Sequence, residues 1–285
     1  MSSQITIGSL RKNIEEQLRG LYPPTEISAF IYILFRELLG MDKKDVLLNT
    51  DTNITFSDYT KMHEAVERLK NYEPLQYILG TTEFYGCHIM VNPAVLIPRP
   101  ETEELVQWVL EEATAFTSPS IADICTGSGC IAVAIKKKLP DASVFAFDNS
   151  TEALATAKKN AVINNVDIQF FFQDILRCFQ LPRAMHIIVS NPPYVRESEK
   201  NNMQPNVLRF EPQSALFVPD NNPLIFYRAL TIIGKKYLLP KGKMLVEINE
   251  NMAAETMQLF NHAGYTKVLL RKDINNKPRM ICAIK

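Results

Sequence analysis

From about Ser120 onward the chain alternates short apolar runs with amphipathic segments of helical period, and this alternation constrains the fold more than any other feature. Residues 121–125, 143–148, 168–172 and 185–190 read as strands; residues 129–139 and 151–164 read as helices between them. Strands joined through helical crossovers run parallel and need helices on both faces. After Pro223 come a helix to about residue 239, a strand over 243–248 and a helix over about 250–262. The runs 265–271 and 279–284 suit a terminal antiparallel pair. The expected architecture is therefore α/β, built on a parallel sheet.

The first 80 residues read differently. Leu10, Ile14, Leu18 and Leu21 recur at helical spacing until Pro23-Pro24 withholds two backbone donors. A second helix is expected from about Thr25, as N-cap, to Gly40, and a third from about Ser57 with Tyr59, Met62, Val66 and Leu69 inward. Between Pro74 and Pro100, short runs on either side of Gly86 predict a β-hairpin linker. The chain thus divides into a helical bundle over 1–73, a hairpin linker over 74–100 and the α/β domain over 101–285.

Composition narrows the function. Hydrophobic residues make up 46% and charged residues 22% of the 285, enough to bury a core and unlike a disordered chain. Basic and acidic residues balance at 31 each, so no global positive field gathers nucleic acid or anionic lipid, and no direct, specific nucleic-acid binding is expected. The start, Met1 to Gly8, lacks a basic and an apolar leader region. The longest apolar stretch, 27–35, is far shorter than the roughly 20 residues a bilayer demands. Cys87, Cys125, Cys130, Cys178 and Cys282 form no CxxC pair, so neither a disulfide framework nor a metal site is expected. A cytoplasmic protein with reduced thiols and no membrane contact fits these observations.

At the first strand-to-helix turn stand Cys125, Thr126, Gly127, Ser128 and Gly129, preceded by Asp123. Glycines there let backbone approach a ligand closely, and the helix start offers unsatisfied N–H groups, so a nucleotide-like cofactor is expected. Gly127-x-Gly129-x-x-Ala132, with Asp148 about twenty residues on, also matches the dinucleotide fingerprint. The loop alone leaves NAD and S-adenosylmethionine both open. Asp148 ends its strand at the ligand edge of the sheet, placed to accept from ribose hydroxyls. Asp174, after the next strand, is placed to accept from an exocyclic amine of adenine.

The segment Asn191-Pro192-Pro193-Tyr194, closing the apolar run 187–190, is the most informative in the chain. Two prolines force extended backbone and withhold two donors, which leaves carbonyls without local competition. The Asn191 side-chain oxygen and the Pro192 carbonyl can take the two hydrogens of a planar NH2 group, with Tyr194 stacked on its face. A dehydrogenase has no use for such an amine clamp, which tips the glycine loop towards a methyl donor.

This tetrapeptide behind the Asp123–Gly129 loop resembles S-adenosylmethionine-dependent methyltransferases acting on an exocyclic or amide nitrogen, and is shared with adenine-N6 DNA methyltransferases. Four further segments narrow it: Pro74-Leu75-Gln76-Tyr77-Ile78-Leu79-Gly80, Glu83-Phe84-Tyr85-Gly86, Val95-Leu96-Ile97-Pro98-Arg99-Pro100-Glu101-Thr102-Glu103 and Phe210-Glu211-Pro212-Gln213-Ser214-Ala215-Leu216 resemble the peptide chain release factor N5-glutamine methyltransferases, in that family's order. The resemblance implies a Rossmann-like class I methyltransferase domain with a mostly parallel seven-stranded sheet. It implies N5-methylation of the glutamine in the Gly-Gly-Gln tripeptide of release factors, with the helical N-terminal domain a candidate for recognising them. Carried over, Cys125 to Gly129, Asp148, Asp174, Ile175 and Asn191 hold the cofactor. Asn191, Pro192, Pro193 and Tyr194 hold the glutamine, with Arg99 and Glu101 close to both ligands. The alternatives are an adenine-N6 DNA methyltransferase and, further off, an NAD-dependent oxidoreductase.

Three positions depart from that family's pattern. Cys125 stands where glycine is usual, Ile175 where an aromatic is frequent, and Asn249-Glu250 where a glycine is expected. His63, His88, His186 and His262 show no convergent spacing, and no general base is assigned.

Overall fold

The computed structural model describes residues 5–285; the part of the leader reading that falls on residues 1–4 lies outside them. The chain forms two compact units. One runs to Gly80 and includes Pro205–Phe210; the other comprises Thr81–Gln204 and Glu211–Lys285.

The first unit is helical: α1 (Ile7–Leu18), α2 (Pro24–Leu39), α3 (Lys43–Leu48), α4 (Phe56–Lys70) and α5 (Leu75–Leu79). Leu18, Leu34, Phe35, Met62 and Leu69 are fully buried at its centre. Two one-turn helices, α3 and α5, escape the sequence reading because they are too short to show a period. The first is nonetheless signed by a reciprocal cap, in which Asp42 accepts from the N–H of Asp45 and Asp45 from that of Asp42. The α2 start also differs from expectation. Pro23, not Thr25, precedes the first turn and Pro24 occupies its first position, where a missing N–H costs nothing and a fixed φ helps.

The second unit opens with a hairpin, β1 (Thr81–Phe84) and β2 (Cys87–Met90), whose turn residues Tyr85 and Gly86 both have positive φ. There follow α6 (Pro100–Ala113), β3 (Ser120–Ile124), α7 (Cys130–Lys138), β4 (Ser143–Asp148), α8 (Thr151–Ile163), β5 (Gln169–Phe172) and β6 (Met185–Ser190). β7 (Val195–Arg196) and β8 (Phe217–Val218) form a short parallel pair, and between them in sequence comes α9 (Pro205–Phe210), which belongs to the first unit. The chain ends with α10 (Ile225–Tyr237), β9 (Leu238–Glu247), α11 (Ala253–His262), β10 (Lys267–Lys272) and β11 (Pro278–Ile284).

The main sheet has seven strands in the order β10-β11-β9-β6-β3-β4-β5. β9, β6, β3, β4 and β5 are parallel, and the terminal pair is antiparallel. β9 begins five residues before the expected strand, with a register shift against β6 near Met185. Lys241 there takes positive φ, and Pro240 brings no donor to the ladder.

Register decides what can meet at the carboxyl edge. Ile124 pairs with Phe147 on one side and Ser190 on the other, and Ser190 pairs with Val246. The next residue along each strand is therefore Cys125, Asp148, Asn191 and Glu247, four chemically capable side chains one step beyond a fully buried row.

The hairpin is held by two asparagines four apart, Asn160 of α8 and Asn164 at its C-cap. Asn160 Oδ1 accepts from Met90 N (2.7 Å), while its Nδ2 donates to Met90 O (3.0 Å) and to Ser128 O (2.8 Å). Asn164 repeats the pattern on His88, accepting from its N–H (3.2 Å) and donating to its carbonyl (2.8 Å). The side-chain amides stand in for a neighbouring strand along the free edge of β2. Asn160→Ala strands three backbone groups in a site with no exposure, and is expected to lower unfolding free energy by about 3 kcal/mol in urea titrations.

Candidate active site

The loop after β3 alternates handedness: Cys125, Gly127 and Gly129 all have positive φ, at 63°, 54° and 78°. Gly129 caps α7, and a Cβ there would come within 2.9 Å of the Ala157 Cβ, so only glycine lets α7 and α8 approach this closely. Cys125 meets the same backbone demand with a side chain attached, which explains why glycine is the natural residue at its position. Burial pushes its thiol well up, so it stays protonated and is no nucleophile.

Three buried carboxylates organise this edge. Asp123 Oδ2 accepts from the Thr126 hydroxyl (2.6 Å) and from Ala132 N (3.2 Å), pinning the loop across its base, while its Oδ1 is buried without a partner. Burial, aided by the charge of Asp148, pushes the Asp123 carboxyl up to about 7. Asp148 receives Gly127 N (2.8 Å) and Ser150 N (2.9 Å), one on each oxygen; burial raises it despite these donors. Glu247 accepts from the Thr102 hydroxyl (2.7 Å) and the Tyr194 hydroxyl (2.9 Å), and burial raises it too.

A cavity of about 280 Å³ opens over this edge, at the low end of small-molecule sites. Of the residues expected from sequence, Arg99, Cys125, Thr126, Gly127, Ser128, Asp148, Ile175, Asn191 and Pro193 line it. Asn191 Nδ2 donates to Thr102 Oγ1 (3.2 Å), which leaves Oδ1 unspent. Arg99 pairs with the buried carboxylate of Glu211, whose other oxygen accepts from Ile97 N (3.1 Å); the guanidinium is thereby fixed within this unit.

Other expected residues stand elsewhere. Gly129 lies behind the loop. Asp174 is turned aside, accepting from Leu176 N (2.9 Å) and pairing with Arg177 (3.2 Å), so the wall there is Gln173 and Ile175. Glu101 and Pro192 are not in the wall, and no described residue donates to the Pro192 carbonyl. The Tyr194 ring packs on the core with its hydroxyl committed to Glu247, and Tyr194 is not among the residues of the cavity wall. Asn249 takes up work a glycine could not do, donating to the Tyr194 carbonyl (3.2 Å) and to Glu199 (2.8 Å).

Sequence reasoning missed Pro93, Ala94, Pro98, Ser214, Ala215 and Phe226, which also line the cavity. Most adjoin quoted motifs, but apolar loop residues carry no chemical signature of their own. Thr102 and Glu247 were also missed as parts of the site.

Two family models match: Methyltransferase small domain over residues 101–210 and PrmC N-terminal domain over residues 9–80. The release factor glutamine methyltransferase of Flavobacterium psychrophilum is 42% identical over 96% of this chain and 98% of its own length. The chain belongs to the release factor glutamine methyltransferase family. The Bacteroides thetaiotaomicron family member is 41% identical over 95% and 97% of the two chains. A solved methyltransferase from Pyrococcus furiosus aligns with a TM-score of 0.50 at 15% identity, over 81% of this chain and 99% of that one, and so shares the class I methyltransferase fold. Membership in the glutamine methyltransferase family leaves the DNA-adenine and NAD readings without support.

Two measurements test the loop. Asp123 has a raised carboxyl in the folded chain and an ordinary one, near 4, when unfolded. The stability it contributes therefore falls as pH rises from about 4 to about 7 and is flat above. Asp123→Asn is expected to gain on the parent chain by about 2 kcal/mol between pH 5 and pH 7.5 in urea titrations, part of the roughly 4 kcal/mol that separates the two protonation states. Cys125→Gly is expected to leave the thermal midpoint nearly unchanged, because relief of about 1 to 2 kcal/mol of backbone strain offsets lost packing. Cys125→Val, β-branched at positive φ, should lower stability by about 2 kcal/mol or more.

Proposed function

We propose that this chain transfers a methyl group from S-adenosylmethionine to N5 of the glutamine in the Gly-Gly-Gln tripeptide of a peptide chain release factor, a reaction of the cytoplasm. The observation that carries the reading is the amide of Asn191: its Nδ2 is spent on Thr102 and its Oδ1 is unspent, in a residue that lines the same cavity as Asp148 and the glycine loop.

The residues present fit the cofactor. Asp148, already anchored by two N–H groups, keeps lone pairs for ribose hydroxyls; the backbone of residues 125–128 suits close approach of a ligand; Gln173 and Ile175 flank the adenine place. When bound, S-adenosylmethionine supplies an electrophilic methyl carbon on a sulfonium.

A carboxamide nitrogen is a weak nucleophile because its lone pair is delocalised into the carbonyl. Asn191 Oδ1 and the Pro192 carbonyl accept its two hydrogens, which raises electron density on nitrogen and fixes its direction. Orientation is the main lever, worth up to about 7 to 11 kcal/mol in well-aligned systems. Pro193 backs the clamp, and Arg99, fixed by Glu211, bounds the entrance for the polypeptide substrate. The nitrogen becomes acidic as it gains the methyl group and the carbon–sulfur bond breaks, and it releases its proton late to solvent, so a strong base is not required.

Incubation of a purified release factor with the enzyme and S-adenosylmethionine, followed by peptide mass spectrometry, is expected to show one added methyl on a single glutamine; methylation elsewhere, or none, refutes the assignment. Asn191→Ala should lower kcat by at least ~10²-fold with cofactor affinity little changed.

A further inference from the structure

Glu247 is almost fully buried, yet among the described residues no cation pairs with it. Arg279, which acts on it through space, is committed to Glu250 and Asp273. What surrounds the carboxylate is hydroxyls: Thr102 on one oxygen and Tyr194 on the other, with Tyr227 donating to the backbone carbonyl of the same residue (3.0 Å). Burying a carboxylate on hydroxyl donors alone is costly, and an apolar residue would pack at this point of the sheet without that cost.

The cost has a chemical counterpart. A carboxylate only accepts, so Thr102 must give Glu247 its proton. The Thr102 oxygen then has only lone pairs to offer, so it must meet an N–H. Asn191 is thereby obliged to spend its Nδ2 on Thr102, which leaves the Oδ1 without a protein donor in a residue that lines the cavity. The same carboxylate holds Tyr194 at the other end of the tetrapeptide. A neutral carboxamide at 247 would lose this one-way polarity, since its NH2 could donate to Thr102 and release the threonine proton towards Asn191, favouring the reversed amide.

We infer that Glu247 and Thr102 are positioning residues that set the polarity of the Asn191 amide, so that an acceptor and never a donor is presented to the substrate nitrogen. This rests on the proposed glutamine methylation, in which that nitrogen brings two hydrogens to the clamp.

The test compares Glu247→Gln, Thr102→Val and Thr102→Ser with the parent enzyme on a release factor, measuring kcat and KM, and measures S-adenosylmethionine affinity by titration calorimetry. Glu247→Gln and Thr102→Val should lose 10- to 100-fold in kcat, up to the scale for losing the oriented contact itself, with cofactor Kd within about threefold. Thr102→Ser, which keeps the hydroxyl, should stay within about threefold of the parent. A loss below about tenfold in Thr102→Val, an equal loss in Thr102→Ser, or a matching loss of cofactor affinity overturns the inference. If Glu247→Gln does not fold, the threonine pair decides alone. A parent enzyme that methylates no release factor overturns the proposed function instead, so the two failures are distinct.

Discussion

The parallel register of β9, β6, β3 and β4 is the constraint from which the site follows. Pairing places Val246, Ser190, Ile124 and Phe147 in one row, and the residues immediately after them emerge together at the carboxyl edge. A slip of one residue on any of these strands would exchange its two faces and withdraw its functional side chain from the edge. Because each strand is buried on both faces, with Ile121, Ala122, Ile187 and Ile188 fully enclosed, such a slip would gain no compensating exposure of polar groups. Packing of apolar side chains thus fixes the relative heights of Cys125, Asp148, Asn191 and Glu247 before any polar contact is made.

Once at that edge, the acidic groups are governed by a contest between desolvation and hydrogen bonding. Desolvation wins at all three, since Asp123, Asp148 and Glu247 are each raised, but the donors differ in kind. Asp148 is held by backbone N–H groups, which cannot turn away. Glu247 is held by hydroxyls, which have one proton each and pass their orientation on. Asp123 has one oxygen satisfied and the other bare, and its carboxyl is pushed up to about 7. Three residues of one charge class therefore perform three tasks, set by what donates to them.

The sequence made the parallel sheet, its antiparallel end and the chemistry of the edge legible, because each has a local signature: period, a glycine loop, or two prolines after a buried strand. The short helices α3 and α5 had no period to show. Thr102 and Glu247 were invisible as partners because they lie 145 positions apart and meet only through the sheet. Tyr194 was expected over the substrate because the motif suggests stacking, and only the buried carboxylate of a different strand reveals where its hydroxyl goes. Asp174 follows its strand as Asp148 does, but the turn at 174–177 gives its carboxylate local donors and draws it away. Juxtaposition across the sheet, not residue type, separates what could be read from what could not.

The hairpin belongs to the same account, through α8. This one helix meets the glycine loop at Gly129 through Ala157, at Ser128 through Asn160, and through Ser150 at its N-cap it adjoins Asp148. On its other contacts it carries β2 through Asn160 and Asn164, and Asn92 through Thr156 (2.9 Å). The chain from Met90 to Ile97, which supplies the wall at Pro93 and Ala94, is thus pinned to α8 at its start and to Glu211 at its end. The glycine loop and the Pro93–Ala94 segment, both of which line the cavity, are thus tied to a single rigid element and not to two independent loops. For a reaction that depends on orienting a poor nucleophile, that shared support supplies the fixed frame against which the Asn191 clamp can aim.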